Sequence, residues 1–155
     1  RLCRQMLQFL DPGAILRDLR GDTRVETVQL RVGRGKKAVI EAEYMKGILR
    51  SFPIFRSKAT GIRSESVYME VWVNKKTGEL AAIRVYPRQA NGKPVPGAGE
   101  FIMLQNYARS KGVAIPRRLL IFADNGATRE QRAEVKFSAF ALNPNFTMKH
   151  FARPR

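Results

Sequence analysis

Cysteine and histidine are nearly missing from this chain, and acidic residues are scarce. Its 155 residues include one cysteine, Cys3, and one histidine, His150. A single thiol excludes an internal disulfide. One Cys and one His do not make a zinc site, which takes several such ligands. A lone His beside the C-terminus reads as a surface residue rather than a general base. Cys3 reads as a bystander, because the Arg1-Leu2 ahead of it lacks the small residue that a lipid-attachment site needs. No apolar run approaches the length of a membrane span, and no signal peptide is visible. A chain that starts at Arg1 rather than Met is expected to be a processed or truncated product whose targeting segment has already gone.

Catalytic patterns are missing too. Gly33-Arg34-Gly35-Lys36-Lys37 lacks the spacing, the Ser or Thr after Lys, and the following helix of a phosphate-binding P-loop. Glu41 with Glu43, and Glu130 with Glu134, read as cross-strand salt-bridge partners rather than as an acid–base pair. The expectation is a protein that is not an enzyme and uses no cofactor or metal.

What is present is positive charge on a strand-rich pattern. Lys and Arg number 29 against 13 Asp and Glu, for a net charge of +16. An excess of this size points to an anionic partner: nucleic acid, a membrane surface or an acidic protein. The basic residues are interleaved with apolar ones, as on the solvent face of strands, and do not form a disordered arm.

The length suits a single domain, 1–155, with a helical segment at 1–21, an antiparallel sheet over 24–145 and a tail at 146–155. Leu2, Met6, Leu7 and Leu10, then Ile15, Leu16 and Leu19, recur at helical spacing. Asp11-Pro12 should restart the helix and Gly21 end it. Strands are expected at 25–32, 38–45, 66–73, 80–86, 100–108, 113–123 and 130–142. A Pro- and Gly-rich loop spans 87–99, and Asp124-Asn125-Gly126 is a hairpin turn. The fold class is mainly β (α+β): a curved antiparallel sheet or half-barrel meander with short N-terminal helices.

Phe101-Ile102-Met103-Leu104 and Leu119-Leu120-Ile121-Phe122 are apolar on both strand faces. Both faces of the central strands therefore need cover. N-terminal helices can supply one side. The other calls for a second layer, a curled sheet, the 46–65 connection or a ligand, so a two-layer core and an apolar cavity both fit.

Three turns carry the same charge: Gly33-Arg34-Gly35-Lys36-Lys37, Asn74-Lys75-Lys76-Thr77-Gly78 and Arg109-Ser110-Lys111-Gly112. In a meander, alternate turns share one end of the sheet, which would gather Arg34, Lys36, Lys37, Lys75, Lys76, Arg109 and Lys111 into one cationic rim. Tyr68 and Trp72, with Tyr44 or Tyr86, offer stacking surfaces for nucleic acid but read first as half-buried sheet aromatics. A nucleic-acid partner thus rests on charge only, and charge is blind to sequence. The connection 46–65 mixes Ile48, Leu49, Phe52, Ile54 and Phe55 with Lys46, Arg50, Arg56, Lys58 and Arg63. It reads as a lid, as a flap touching a membrane, or as a loop folded on its own aromatics.

Several segments, in order, resemble the C-terminal part of the bacterial outer-membrane lipoprotein carriers and lipoprotein-sorting proteins, the LolA/LolB-like group. They are Leu10-Asp11-Pro12-Gly13-Ala14-Ile15-Leu16, Val71-Trp72-Val73-Asn74-Lys75-Lys76-Thr77-Gly78, Tyr107 through Gly112-Val113-Ala114-Ile115-Pro116, and Val135-Lys136-Phe137-Ser138-Ala139-Phe140-Ala141-Leu142-Asn143-Pro144 with Phe146 and Phe151 following. The resemblance implies a half-barrel around an apolar cavity and a periplasmic or cell-envelope location. It also implies lipid or lipoprotein acyl chains as partners, with an anionic membrane surface facing the rim. On that expectation Trp72, Phe101, Met103, Leu120 and Phe122 line the cavity, and Phe52, Ile54 and Phe55 belong to the lid. The alternative is a basic structural subunit of a large RNA-containing or membrane assembly that binds polyanions non-specifically and needs no cavity.

Overall fold

A computed structural model describes residues 12–21, 24–33, 38–49, 55–56, 63–64, 67–89, 91, 93–95, 97–110 and 113–138. The helix expected before residue 11, the strand end beyond 138 and the closing tail lie outside the described residues.

Pro12 does begin a helix, α1 (Pro12–Asp18). It ends before Gly21, because Leu19–Arg20 forms a strand, β1, paired with Leu49 and Ile48. Gly47 permits this close approach: a Cβ there would lie 2.5 Å from the Arg20 carbonyl oxygen. The remaining strands are β2 (Glu26–Arg31), β3 (Val39–Leu49), β4 (Phe55–Arg56), β5 (Arg63–Ser64), β6 (Val67–Asn74), β7 (Leu80–Pro87), β8 (Gly99–Ser110), β9 (Val113–Asp124) and β10 (Arg129–Lys136).

Two expected boundaries are corrected. β3 runs through Lys46–Leu49, which the sequence pattern assigned to the connection; Ile48 and Leu49 pair with Tyr68 and Val67 of β6. β10 stops at Lys136, short of 142, and Phe137–Ser138 fall outside the strand.

The main sheet has eight strands, all paired antiparallel, in the order β1-β3-β6-β7-β8-β9-β10, with β2 sharing the β1 edge of β3. It is curved and open. β4 and β5 pair with each other apart from it.

Alternation sorts the side chains onto two faces. The helix face holds Val67, Met69, Val71, Ile83, Val85, Ile102, Leu104 and Leu119, packed with Ile15, Leu16 and Leu19 from α1 and β1. The aromatic face holds Leu30, Ala42, Trp72, Ala81, Ala82, Phe101, Met103 and Leu120, flanked by Ile40, Tyr44 and Phe122. The central strands are apolar on both faces, and both faces are buried.

One hydrogen bond defines how the sheet bends. The Gln105 side-chain amide donates to the Val32 carbonyl at 2.6 Å. Four strand steps separate β2 from β8 in the sheet order, about 19 Å if the sheet were flat. The β2–β3 hairpin must therefore fold over the aromatic face to reach β8. A register shift between Trp72 and Val73, opposite Ala81, adds local twist beside that fold.

Candidate functional site

Five of the residues expected to line a cavity come together. Trp72, Phe101, Met103, Leu120 and Phe122 all lie on the aromatic face. Their rings touch in series: Tyr44 to Trp72 at 5.1 Å, Trp72 to Phe101 at 5.7 Å and Phe101 to Phe122 at 6.1 Å between centroids. Phe101 is fully buried and Trp72 is 8% exposed. Phe55 falls in β4, off the main sheet. Phe52 and Ile54 lie outside the described residues.

Embedded among these rings is a charge network that composition did not reveal. Glu70, on β6, accepts from the Tyr44 hydroxyl at 2.7 Å and from Arg84 Nη1 at 2.9 Å. Asp124, whose side chain is 1% exposed, lies against Arg84 and Arg129 at 2.8 and 3.1 Å. Arg129 donates a hydrogen bond to Asp124 Oδ2, whereas the Arg84 contact is ionic only. Its buried Nε has no acceptor in hydrogen-bond geometry. Asp124 also accepts from the Gly126 N–H at 2.8 Å, which fixes the β9–β10 turn.

Both guanidinium groups lie by Phe101, Arg129 at 3.7 Å and Arg84 at 5.7 Å from the ring centroid. Burial alone would lower the Arg84 pKa, but Glu70 foremost, with Tyr86 and Asp124, raises it above its usual value. Burial, and next the bond to Glu70, pushes the Tyr44 hydroxyl well above the ordinary phenol value. Two cations face two carboxylates, so the network is neutral within itself. Gly99 makes room for the neighbouring ring, since a Cβ there would collide with Tyr86.

The opposite end of the sheet carries the β2–β3, β6–β7 and β8–β9 turns, as the registers require. The β6–β7 turn is set by Asn74, whose Oδ1 accepts from the Lys76 and Thr77 N–H groups at 2.9 and 3.2 Å. Lys75 and Lys76 project into solvent there. Lys75 pairs with Glu41 of β3 at 3.1 Å, and Arg109 reaches Glu79 at 4.0 Å. Acidic neighbours thus offset part of the rim. Arg34, Lys36, Lys37 and Lys111 lie outside the described residues.

A cleft of about 330 Å³ opens at this end, beneath the folded β2–β3 hairpin. Val32, Ile40, Leu80, Ala81 and Leu104 form its apolar wall; Asn74, Glu79, Gln105, Asn106 and Tyr107 supply polar atoms. Asn106 has φ 54°, in the left-handed region that Asn tolerates. Past that kink, Tyr107 turns toward the helix face and donates to the Leu80 carbonyl at 2.6 Å. The alternating strand pattern held no signal for this cleft, because a long-range fold-over and a single backbone kink create it.

Among the described residues no cluster of His, Cys, Asp and Glu is placed to hold a metal ion. No described helix is long and apolar enough to cross a membrane. In comparisons with known proteins, no family model, curated protein or solved structure matched the chain.

Proposed function

We propose that the protein binds or carries a lipid or lipidated ligand and performs no chemistry on it. The observation that supports this most is the cleft. Its apolar wall continues into the aromatic face through Val32, Ile40 and Ala81, and its mouth lies at the end of the sheet that bears Lys75, Lys76 and Arg109. An apolar chain would lie along the wall while the cations at the mouth meet an anionic headgroup or membrane surface, each adding roughly 1 kcal/mol of attraction. A carrier of the LolA/LolB-like type in the periplasm or cell envelope belongs to the same reading.

The test is what purified protein retains after a high-salt wash, read by organic extraction and mass spectrometry beside the ratio of absorbance at 260 and 280 nm. A stoichiometric lipid, displaced by a fluorescent fatty acid, is the expected result.

One observation favours a second reading, a basic subunit of an RNA-containing assembly. The rings of the aromatic face already pack on one another, with Phe101 fully buried, so the face is satisfied without a ligand. Retained nucleic acid without lipid, lost steeply as salt rises, would establish that reading in place of the first.

A further inference from the structure

Among the described residues that line the cleft, one is acidic, Glu79. Its side chain is 20% exposed, and among the described residues the cation paired with it, Arg109 Nη2, is 4.0 Å away. That separation is too long for a hydrogen bond. Arg109 is 67% exposed, so solvent screens the pair. Among the described residues no donor hydrogen-bonds the Glu79 carboxylate.

The other polar groups of the wall are already engaged or neutral. Asn74 Oδ1 caps the turn, Gln105 donates to Val32 and accepts from Arg118, and the Tyr107 hydroxyl is on Leu80. Glu79 is thus a partly buried, under-paired carboxylate, and burial strengthens its pull on a cation. Lys76 and Arg109 are both exposed and lie next to the wall: the Lys76 N–H is held by Asn74, and Arg109 reaches Glu79.

Resting on the lipid reading above, the geometry points to a ligand whose polar end carries both a phosphodiester and a primary ammonium, the headgroup chemistry of an aminophospholipid. The ammonium enters the wall and gives its three N–H donors to Glu79 and neighbouring carbonyl oxygens. The phosphate stays at the mouth against Arg109 and Lys76, where a guanidinium can hold two of its oxygens. A phosphate lacking an amine would bring Glu79 no hydrogen-bond donor. A trimethylated ammonium has charge but no donors to give.

The experiment displaces a bound fluorescent fatty acid with lysophosphatidylethanolamine, lysophosphatidylcholine and lysophosphatidylglycerol of one acyl length, and with chainless glycerophosphoethanolamine. The amine-bearing lysolipid should displace the probe at about tenfold lower concentration than the other two. Glu79→Gln should bring that ratio to within about twofold, and Glu79→Asp, which keeps the charge, should retain part of it. Melting curves of both variants show that each is folded. Reading a ratio makes the result independent of overall affinity.

A wild-type protein that binds all three lysolipids equally, or a Glu79→Gln variant that keeps the full preference, overturns the headgroup assignment and leaves the lipid reading standing. Failure of every probe to bind, the fatty acid included, overturns both. Glycerophosphoethanolamine competing as well as its lysolipid would overturn the lipid as the source of the headgroup.

Discussion

On the helix face, Val67, Met69, Val71 and Ile83 are fully buried in a cluster that is apolar throughout. On the aromatic face, Phe101 is equally buried but lies against two guanidinium groups that are themselves held by Glu70 and Asp124. The first face is stabilised by area removed from water and by close packing, neither of which has a preferred direction. The second adds contacts that work only in one geometry, since a buried ion pair is favourable only while both partners stay in place. The helix face should tolerate substitutions that keep volume. The aromatic face should not tolerate the loss of a single charge.

The largest expected effect comes from breaking the aromatic face at Asp124. Asp124→Ala leaves Arg84 and Arg129 without their shared carboxylate and should lower unfolding free energy by about 3 kcal/mol in urea titrations. Replacing Glu70 and Arg84 together by Gln and Met should cost less than the two single changes added, a non-additivity that a double-mutant cycle measures. On the helix face, Ile83→Val should cost about 1 kcal/mol, following lost volume alone. An Ile83→Val loss as large as that of Asp124→Ala would erase the distinction between the faces.

Glu100, on β8, gives a smaller effect whose sign depends on pH. Burial raises its pKa above the usual carboxylate value. The folded state therefore holds this proton more tightly than the unfolded chain, and stability falls as pH rises from the ordinary carboxylate range through the raised value. Glu100→Gln should raise the urea midpoint at pH 7 and leave it nearly unchanged at pH 3. An equal gain at both values would refer the effect to packing.

The smallest effect on stability is expected at the rim. Joint reversal of Lys36, Lys37, Lys75 and Lys76 to Glu should shift stability by no more than about 0.5 kcal/mol per site, while abolishing binding to anionic vesicles or polyanions. Persistent vesicle and polyanion binding in that variant would rule out the shared rim as the contact surface.

Most of the sheet was legible in the chain because its strands are neighbours in sequence. Val67-Tyr68-Met69-Glu70-Val71-Trp72-Val73 alternates cleanly, and Asn74 to Gly78 carries its own turn chemistry, so β6 and its hairpin follow from local rules. Trp72, Phe101, Met103, Leu120 and Phe122, a set expected from the resemblance, share one face in agreement with that alternation. The charge network did not follow from it, although each member occupied a readable position. Glu70 and Arg84 fall on the aromatic side by parity, but their pairing depends on the β6–β7 register. Asp124 looked like a turn residue, and it is one; its second oxygen serves Arg84 and Arg129. The extension of β3 to Leu49 is not legible locally, because Ile48 and Leu49 are followed by Arg50 and Ser51, which read as loop, while their partners stand some twenty residues on in β6.

The bond from Gln105 to Val32 spans 73 positions of chain, whereas the hairpins β6–β7, β8–β9 and β9–β10 close over short turns. Closing the longer loop costs more chain entropy and gains little until the intervening strands are in place. That contact should therefore form after the folding barrier has been crossed. Gln105→Ala would then accelerate unfolding and leave the folding rate nearly unchanged, so this one amide governs how long the folded state lasts rather than how quickly it is reached.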